Sequence, residues 1–212
     1  MNGSVAGTPR VLPYGELALL VECGEELVAA VHASIASAGL PITDVVPAAR
    51  TVLVRVAVEG DLAAVRERVA DLLVAPPPPR RPRPSDMVMI PVRYDGADLA
   101  DVAALTGLSP AEVVNAHTGR PWRVAFCGFS PGFAYLDGGD PRLEVPRRPD
   151  PRTEVPAGAV GLAGSFSGIY PRRSPGGWQL LGHTDAVIWN PHLDPPALLH
   201  PGRWVRFEAV AR

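Results

Sequence analysis

Apolar positions in the first 74 residues fall into two alternating spacings. The runs ELALLVEC (16–23) and TVLVRVAV (51–58) are dense in aliphatic and β-branched residues over strand length, which predicts strands. Each is followed by a run with apolar residues three and four apart, EELVAAVHASIASAG (25–39) and DLAAVRERVADLLV (61–74). That spacing predicts amphipathic helices, the first stopped by Gly39 and the second with Asp61 placed to cap it. His32 falls on the first helix as a surface or boundary residue. After residue 86 the run MVMIPVRY predicts a strand, and two short helical patterns follow it. SPAE (109–112) has the form of a capping box, with Ser109 as N-cap, Pro110 at the first helical position and Glu112 reaching back. The join TGLSP invites a DNA-binding helix-turn-helix reading, but the second helix, AEVVNAH, carries no arginine to meet phosphate.

From WRVAFCGF onward the texture changes. Residues 128–177 hold ten glycines and eight prolines. Short strand-like pieces are set among and after them: VGLAGSF, GWQLLGHT, AVIWNP and WVRFEAV. Short strands at close spacing with turn residues between them predict an antiparallel barrel or sandwich with long loops. A loop-rich stretch this long is uncommon unless it works, so the site is expected here. Between the two textures lies APPPPRRPRPS (75–85), with six prolines and three arginines. Such a run predicts a linker. The chain is therefore read as α+β in two parts: a small α+β sandwich domain at 1–75, a linker at 76–85 and a β-barrel domain at 86–212.

Composition narrows the chemistry. The chain has 212 residues, 47% of them hydrophobic, which is enough for real cores. A net charge of -2 leaves no footprint for nucleic acid or for an anionic membrane, and no apolar run reaches membrane-spanning length. A cytoplasmic location is expected. Cys23 and Cys127 read as reduced thiols, and neither has a partner at metal-ligand spacing, so no metal site is expected. All 20 basic residues are arginine. That excludes a Walker lysine, a pyridoxal phosphate Schiff base, a biotinyl-lysine and a lysine general base within this chain. Phosphate or carboxylate must be met by arginine, by backbone N–H groups or by another chain.

GFSPGFAYL (128–136) contains G-x-S-x-G, the nucleophile-elbow pattern. An elbow needs a helix after the serine and an N–H on the next residue. Here the next residue is Pro131, which has no N–H, and FAYLDGGDP does not read as a helix. Ser130 is therefore not expected to be a nucleophile, and Phe129 and Phe133 are expected to flank a rigid turn.

GFSPGFAYL, PRRPDPRTEVPAGAVGLAG and SGIYPRRSPGGWQLLGHT together resemble three successive motifs of the family of B-type subunits of 5-oxoprolinase, also called allophanate hydrolase subunit 1. GELALLVE, VVPAARTVLV and IPVRYDGADL extend the resemblance over nearly the whole chain. It implies an N-terminal α+β domain and a cyclophilin-like C-terminal barrel. It also implies ATP-dependent opening of 5-oxoproline to glutamate, with ATP and its Mg2+ as co-substrate. The small-molecule amide would be handled together with a homologous second subunit (the C-type subunit of 5-oxoprolinase, or allophanate hydrolase subunit 2), this chain being inactive alone. The family includes an inhibitor of a sporulation histidine kinase, so a non-catalytic regulatory role is the alternative. Prolyl isomerase activity would rest on fold alone.

The resemblance also points to residues. Arg147 and Arg152 match its motif and are the candidates for gripping phosphate or a substrate carboxylate. His183, beside Thr184, is a candidate base or, preferably, an anion contact, with Asp185 on the same strand face as a possible orienting group. Pro156, Gly158, Gly176 and Gly177 permit close backbone approach to a ligand, and barrel-corner geometry explains them equally well. Tyr170 and Trp178 are read either as walls for a planar ring or as core. His117 near a helix end is given a structural role, favoured there as a cation. Two departures stand out: Phe166 and Ser167 replace a polar pair resembling Gln-Thr, and Ala134 replaces a proline.

Overall fold

The computed structural model describes residues 8–74 and 87–211. The proposed linker at 76–85 lies outside them. The chain divides into two compact units, Met1–Arg81 and Pro82–Arg212.

The first unit is a four-stranded antiparallel sheet with two helices. In chain order its elements are β1 (Arg10–Pro13), β2 (Ala18–Glu22), α1 (Val28–Ala36), β3 (Ile42–Pro47), β4 (Thr51–Val56) and α2 (Leu62–Leu73), with sheet order β1-β2-β4-β3. Alternate strand residues Leu19, Val21, Val52, Val54 and Val56 form one core with Val28, Val31 and Ile35 of α1 and Val65 and Val69 of α2. The period-two and period-3.6 stripes meet there, which is why the helices cover one face of the sheet. The flanking strands β1 and β3 are absent from the sequence reading, since proline and acidic residues interrupt their apolar patterns. Asp61 precedes α2 but makes no side-chain cap, because its own backbone is already helical (φ -86°, ψ -13°). A capping side chain needs extended backbone at that position.

The second unit opens with β5 (Met87–Val92), α3 (Leu99–Thr106) and α4 (Pro110–Gly119). Then come β6 (Trp122–Cys127), β7 (Ala134–Asp137), β8 (Arg152–Val155), β9 (Ala159–Ala163) and β10 (Phe166–Ile169), and finally β11 (Ser174–Gly176), β12 (Gln179–His183) and β13 (Trp204–Ala209). The capping box on α4 is formed as expected: Ser109 Oγ accepts from the Glu112 N–H, and the Ser109 N–H donates to the Glu112 carboxylate. Seven strands make one sheet in the order β12-β9-β10-β7-β6-β13-β5, with β8 and β11 paired separately. Every ladder of the large sheet is antiparallel except β13 with β5, which is parallel. AVIWNP is not a strand; only Trp189 bridges, to Ala197.

The sheet closes on itself into a nearly complete barrel. Arg93, just past β5, exchanges two backbone hydrogen bonds of 2.9 Å with His183 of β12. Gly96 and Asp98 continue the seam, donating to the Leu181 and Leu180 carbonyls at 3.0 Å. Ile90, Val124, Leu136, Leu162, Ile169, Leu181, Val205 and Phe207 share one core with residues of α3 and α4. A second cluster, Phe133, Val155, Ala159, Ala163, Tyr170, Trp178 and Leu180, includes a residue of the β8–β11 pair.

Candidate active site

Asp98 stands at the seam immediately before α3, and its carboxylate faces β12 rather than capping the helix. One carboxylate oxygen accepts from Leu180 N–H at 2.7 Å. The other accepts from Arg148 Nη1 at 2.9 Å and Arg152 Nη2 at 2.7 Å. Burial alone would push the Asp98 carboxyl up; the bonds from Arg152 and Leu180 and the charges of Arg152 and Arg148 outweigh it and hold the group below its usual value. Arg152 lies on β8 and is thus fixed in place, while Arg147 is exposed in the preceding loop. The partner of Arg152 on Asp98 is therefore Arg148. Arg147 stays within electrostatic reach of Tyr170, on which Arg152 also acts.

His183 belongs to a second chain of polar contacts on the same seam. Its Nδ1 lies 2.9 Å from Asp95 and its Nε2 lies 3.1 Å from Arg93 Nη1. Guanidinium can only donate, so Nε2 accepts and the ring proton sits on Nδ1, facing Asp95. Asp185 does not orient His183; it takes Arg93 Nη2 at 2.8 Å. Alternation would put Asp185 on the same face of a strand, but β12 ends at His183. Both ring nitrogens are thus engaged within the chain.

The remaining candidates separate by burial. Tyr170 and Trp178 are 1% and 4% exposed and pack edge-on against Phe133, so they are core rather than open walls. Gly158 has φ +81° and sits with its α-carbon against the Thr184 carbonyl, where a side chain would collide with backbone. Thr184 N–H in turn donates to the Gly158 carbonyl at 2.9 Å. This pair is barrel-corner packing, and Pro156 begins the turn into it, its carbonyl accepting from Ala159 N–H at 3.3 Å. Gly176 leaves room for the Tyr170 hydroxyl, and Gly177 holds the arginine loop through its carbonyl, which accepts from Arg148 N–H at 2.8 Å.

GFSPGF is a tight turn that leads from β6 into β7, with Phe133 N–H bonded to the Ser130 carbonyl at 3.0 Å. A strand follows, not a helix, and Ser130 Oγ is buried with no partner among the described residues. Phe129 is 58% exposed and adopts φ +67°, unusual for a bulky residue.

His117 is a correction in detail. It is fully buried, with Nδ1 2.7 Å from Tyr94 Oη and Nε2 2.8 Å from Ser167 Oγ. Ser167 spends its own proton on the Gly161 carbonyl, so Nε2–H donates to Ser167 and Nδ1 accepts from Tyr94. Burial drives the pKa to about 3, so His117 is neutral and the helix-end cation reading fails. Ser167, the second residue of the pair that departs from the family pattern, is thereby an interior hydroxyl. Phe166, the first residue of that pair, lies against Phe126 and Tyr135.

Residue type alone does not single out Asp98, Arg148, Arg93 or Asp95. Three of them sit in VRYDGAD, a stretch that carries only general resemblance; the signal is two carboxylates in a polar break between a strand and a helix. Among the described residues no group of three or more His, Cys, Asp or Glu side chains is arranged to hold a metal, and no helix is long and apolar enough to cross a membrane.

The chain is 50% identical over 126 residues to the B-type subunit of 5-oxoprolinase from Escherichia coli O157:H7, covering 58% of each chain. It is 44% identical over 128 residues to the corresponding 5-oxoprolinase subunit of Bacillus subtilis (strain 168), covering 59% of this chain and 53% of the relative. The matches thus span little more than half of these relatives. Among solved structures, TTHA0988 superimposes with a TM-score of 0.73 at 37% identity, over 92% of this chain and 40% of that one. The urea amidolyase of Kluyveromyces lactis shares the fold with a TM-score of 0.68 at 20% identity, over 96% of this chain and 15% of that one. Residues 9–199 match the family model for the carboxyltransferase domain, subdomain C and D, and the chain belongs to that family.

Proposed function

We propose that the chain is one subunit of an ATP-dependent amidohydrolase that opens 5-oxoproline to glutamate, with an allophanate-like amide as the other candidate substrate. The observation that carries the reading is Arg152, fixed on Asp98 at the barrel seam with Arg148 beside it, in a chain whose relatives are named as B-type subunits of 5-oxoprolinase. A lactam is a poor electrophile. Transfer of the γ-phosphoryl group of ATP to the amide oxygen, releasing ADP, makes the carbon reactive toward water, and phosphate then leaves. Such transfer depends on positioning and on charge stabilisation at phosphoryl oxygens, which arginine supplies without lysine. In this reading Arg147 and Arg152 serve phosphate or the substrate carboxylate, and Mg2+ arrives with the nucleotide. The barrel is cyclophilin-like, and the homologous second subunit completes the pocket in the cytoplasm.

The test is co-expression with the second subunit, followed by assay of ATP hydrolysis against 5-oxoproline, allophanate and urea. Coupled ADP and glutamate formation with 5-oxoproline is expected. An assembled complex that turns over none of the three would overturn the reading and leave kinase inhibition as the alternative.

A further inference from the structure

The charges around Asp98 do not balance. Two guanidinium groups meet on one carboxylate oxygen, and the other oxygen is already taken by Leu180 N–H. The Asp98 side chain is 2% exposed, those of Arg148 and Arg152 31% and 24%, so the cluster carries one excess positive charge largely out of water. Neither arginine has another acidic partner among the described residues. Arg148 Nε and Arg152 Nη1 are moreover buried without any acceptor among those residues. Unpaired charge in a low-dielectric setting is costly, and a second anion beside the two forks offsets it. Asp98 meanwhile anchors one nitrogen of each fork, so little ordering remains to be done when a ligand arrives.

We propose that Arg148 and Arg152, braced by Asp98, form an oxyanion site in this chain that takes the carboxylate or phosphate group of a small ligand. Planar guanidinium forks match both groups. The exposed portions of the two side chains give an anion access to the guanidinium groups. Arg148, not Arg147, is the partner of Arg152 here. The proposal deepens the functional reading above and rests on it only for the choice of anions. It is tested by binding to the isolated chain, so either can fail without the other.

The full chain is titrated calorimetrically at constant ionic strength, with inorganic phosphate in one arm and acetate in the other. One saturable site is expected in at least one arm, weakened about ten-fold or more by Arg148→Gln or Arg152→Gln. Arg142→Gln, whose guanidinium is held by Asp140, should leave it unchanged. Binding of phosphate alone assigns the site to a phosphate group, acetate alone to a carboxylate, and mutual competition to both. In the wild type, where folding is not in question, a saturating anion should protect Arg148 and Arg152 from phenylglyoxal, read by mass spectrometry, while Arg142 reacts as before. Absence of saturable binding in both arms, an equal loss in Arg142→Gln, or no protection of the pair would each overturn the proposal.

Discussion

His117 is enclosed between Tyr94 and Ser167, with its pKa driven down to about 3 by burial. An unfolded histidine titrates near pH 6.5. Between those values the unfolded chain binds a proton that the folded chain refuses, so stability falls as pH drops below 6.5 and stops falling near 3. The group should cost the barrel about 2 kcal/mol between pH 7 and pH 5. This is read as a fall in Tm that His117→Gln flattens, even as it lowers Tm at pH 7; equal pH slopes in both proteins would exonerate His117. Asp98 works in the same direction at lower pH. Its carboxyl is held below the usual value, so its contribution is present above the ordinary carboxylate range and is lost as pH falls through the folded value. Ser130, by contrast, has no base beside it among the described residues and precedes a strand. Ser130→Ala should leave turnover of the assembled enzyme within a few-fold, whereas losing a nucleophile costs several orders of magnitude.

At the scale of elements, the corner between β8 and β9 is fixed by Gly158, whose φ of +81° and contact with the Thr184 carbonyl leave no place for a methyl group. Gly158→Ala should destabilise the barrel by about 2–4 kcal/mol, combining left-handed strain with overpacking. Chemical denaturation measures this, and a change below about 0.5 kcal/mol would mean that the corner gives way freely. The elements legible in the sequence are those with local causes. The capping box needs only Ser109 and Glu112, and β2, β4 and β5 announce themselves by apolar density. What is not legible depends on distant partners. β1 and β3 become strands because β2 and β4 present free edges to them. AVIWNP has strand composition but gains no ladder. The candidate site is half legible for the same reason: Arg152 sits in a motif, while Asp98 acquires its meaning only when the sheet curls round to β12.

For the molecule as a whole, the exposed Arg147, the strained and exposed Phe129 and the lack of lysine suit a site finished by another chain. A stable heteromer with the second subunit is expected, burying roughly 2,000 Å² or more. Arg147→Ala or Arg152→Ala should lower its turnover about ten-fold or more without changing assembly, as size-exclusion chromatography and steady-state assay will show. Robust ATP hydrolysis by the single chain would contradict this arrangement. Residues 82–212 carry their own core, and that fragment should fold by itself with a cooperative thermal transition. The seam has one more consequence, which concerns synthesis. Arg93 and His183 are 90 residues apart, and Asp98 and Leu180 are 82 apart. At about 5–20 residues per second, a ribosome needs several seconds to supply the second half of each pair. Until then the nascent chain has Asp98, Arg148 and Arg152 but not the Leu180 N–H that fixes the carboxylate between them. The proposed anion site is therefore assembled only once β11 and β12 are in place, and a chain that stops short of them carries Asp98 and both arginines without the frame that joins them.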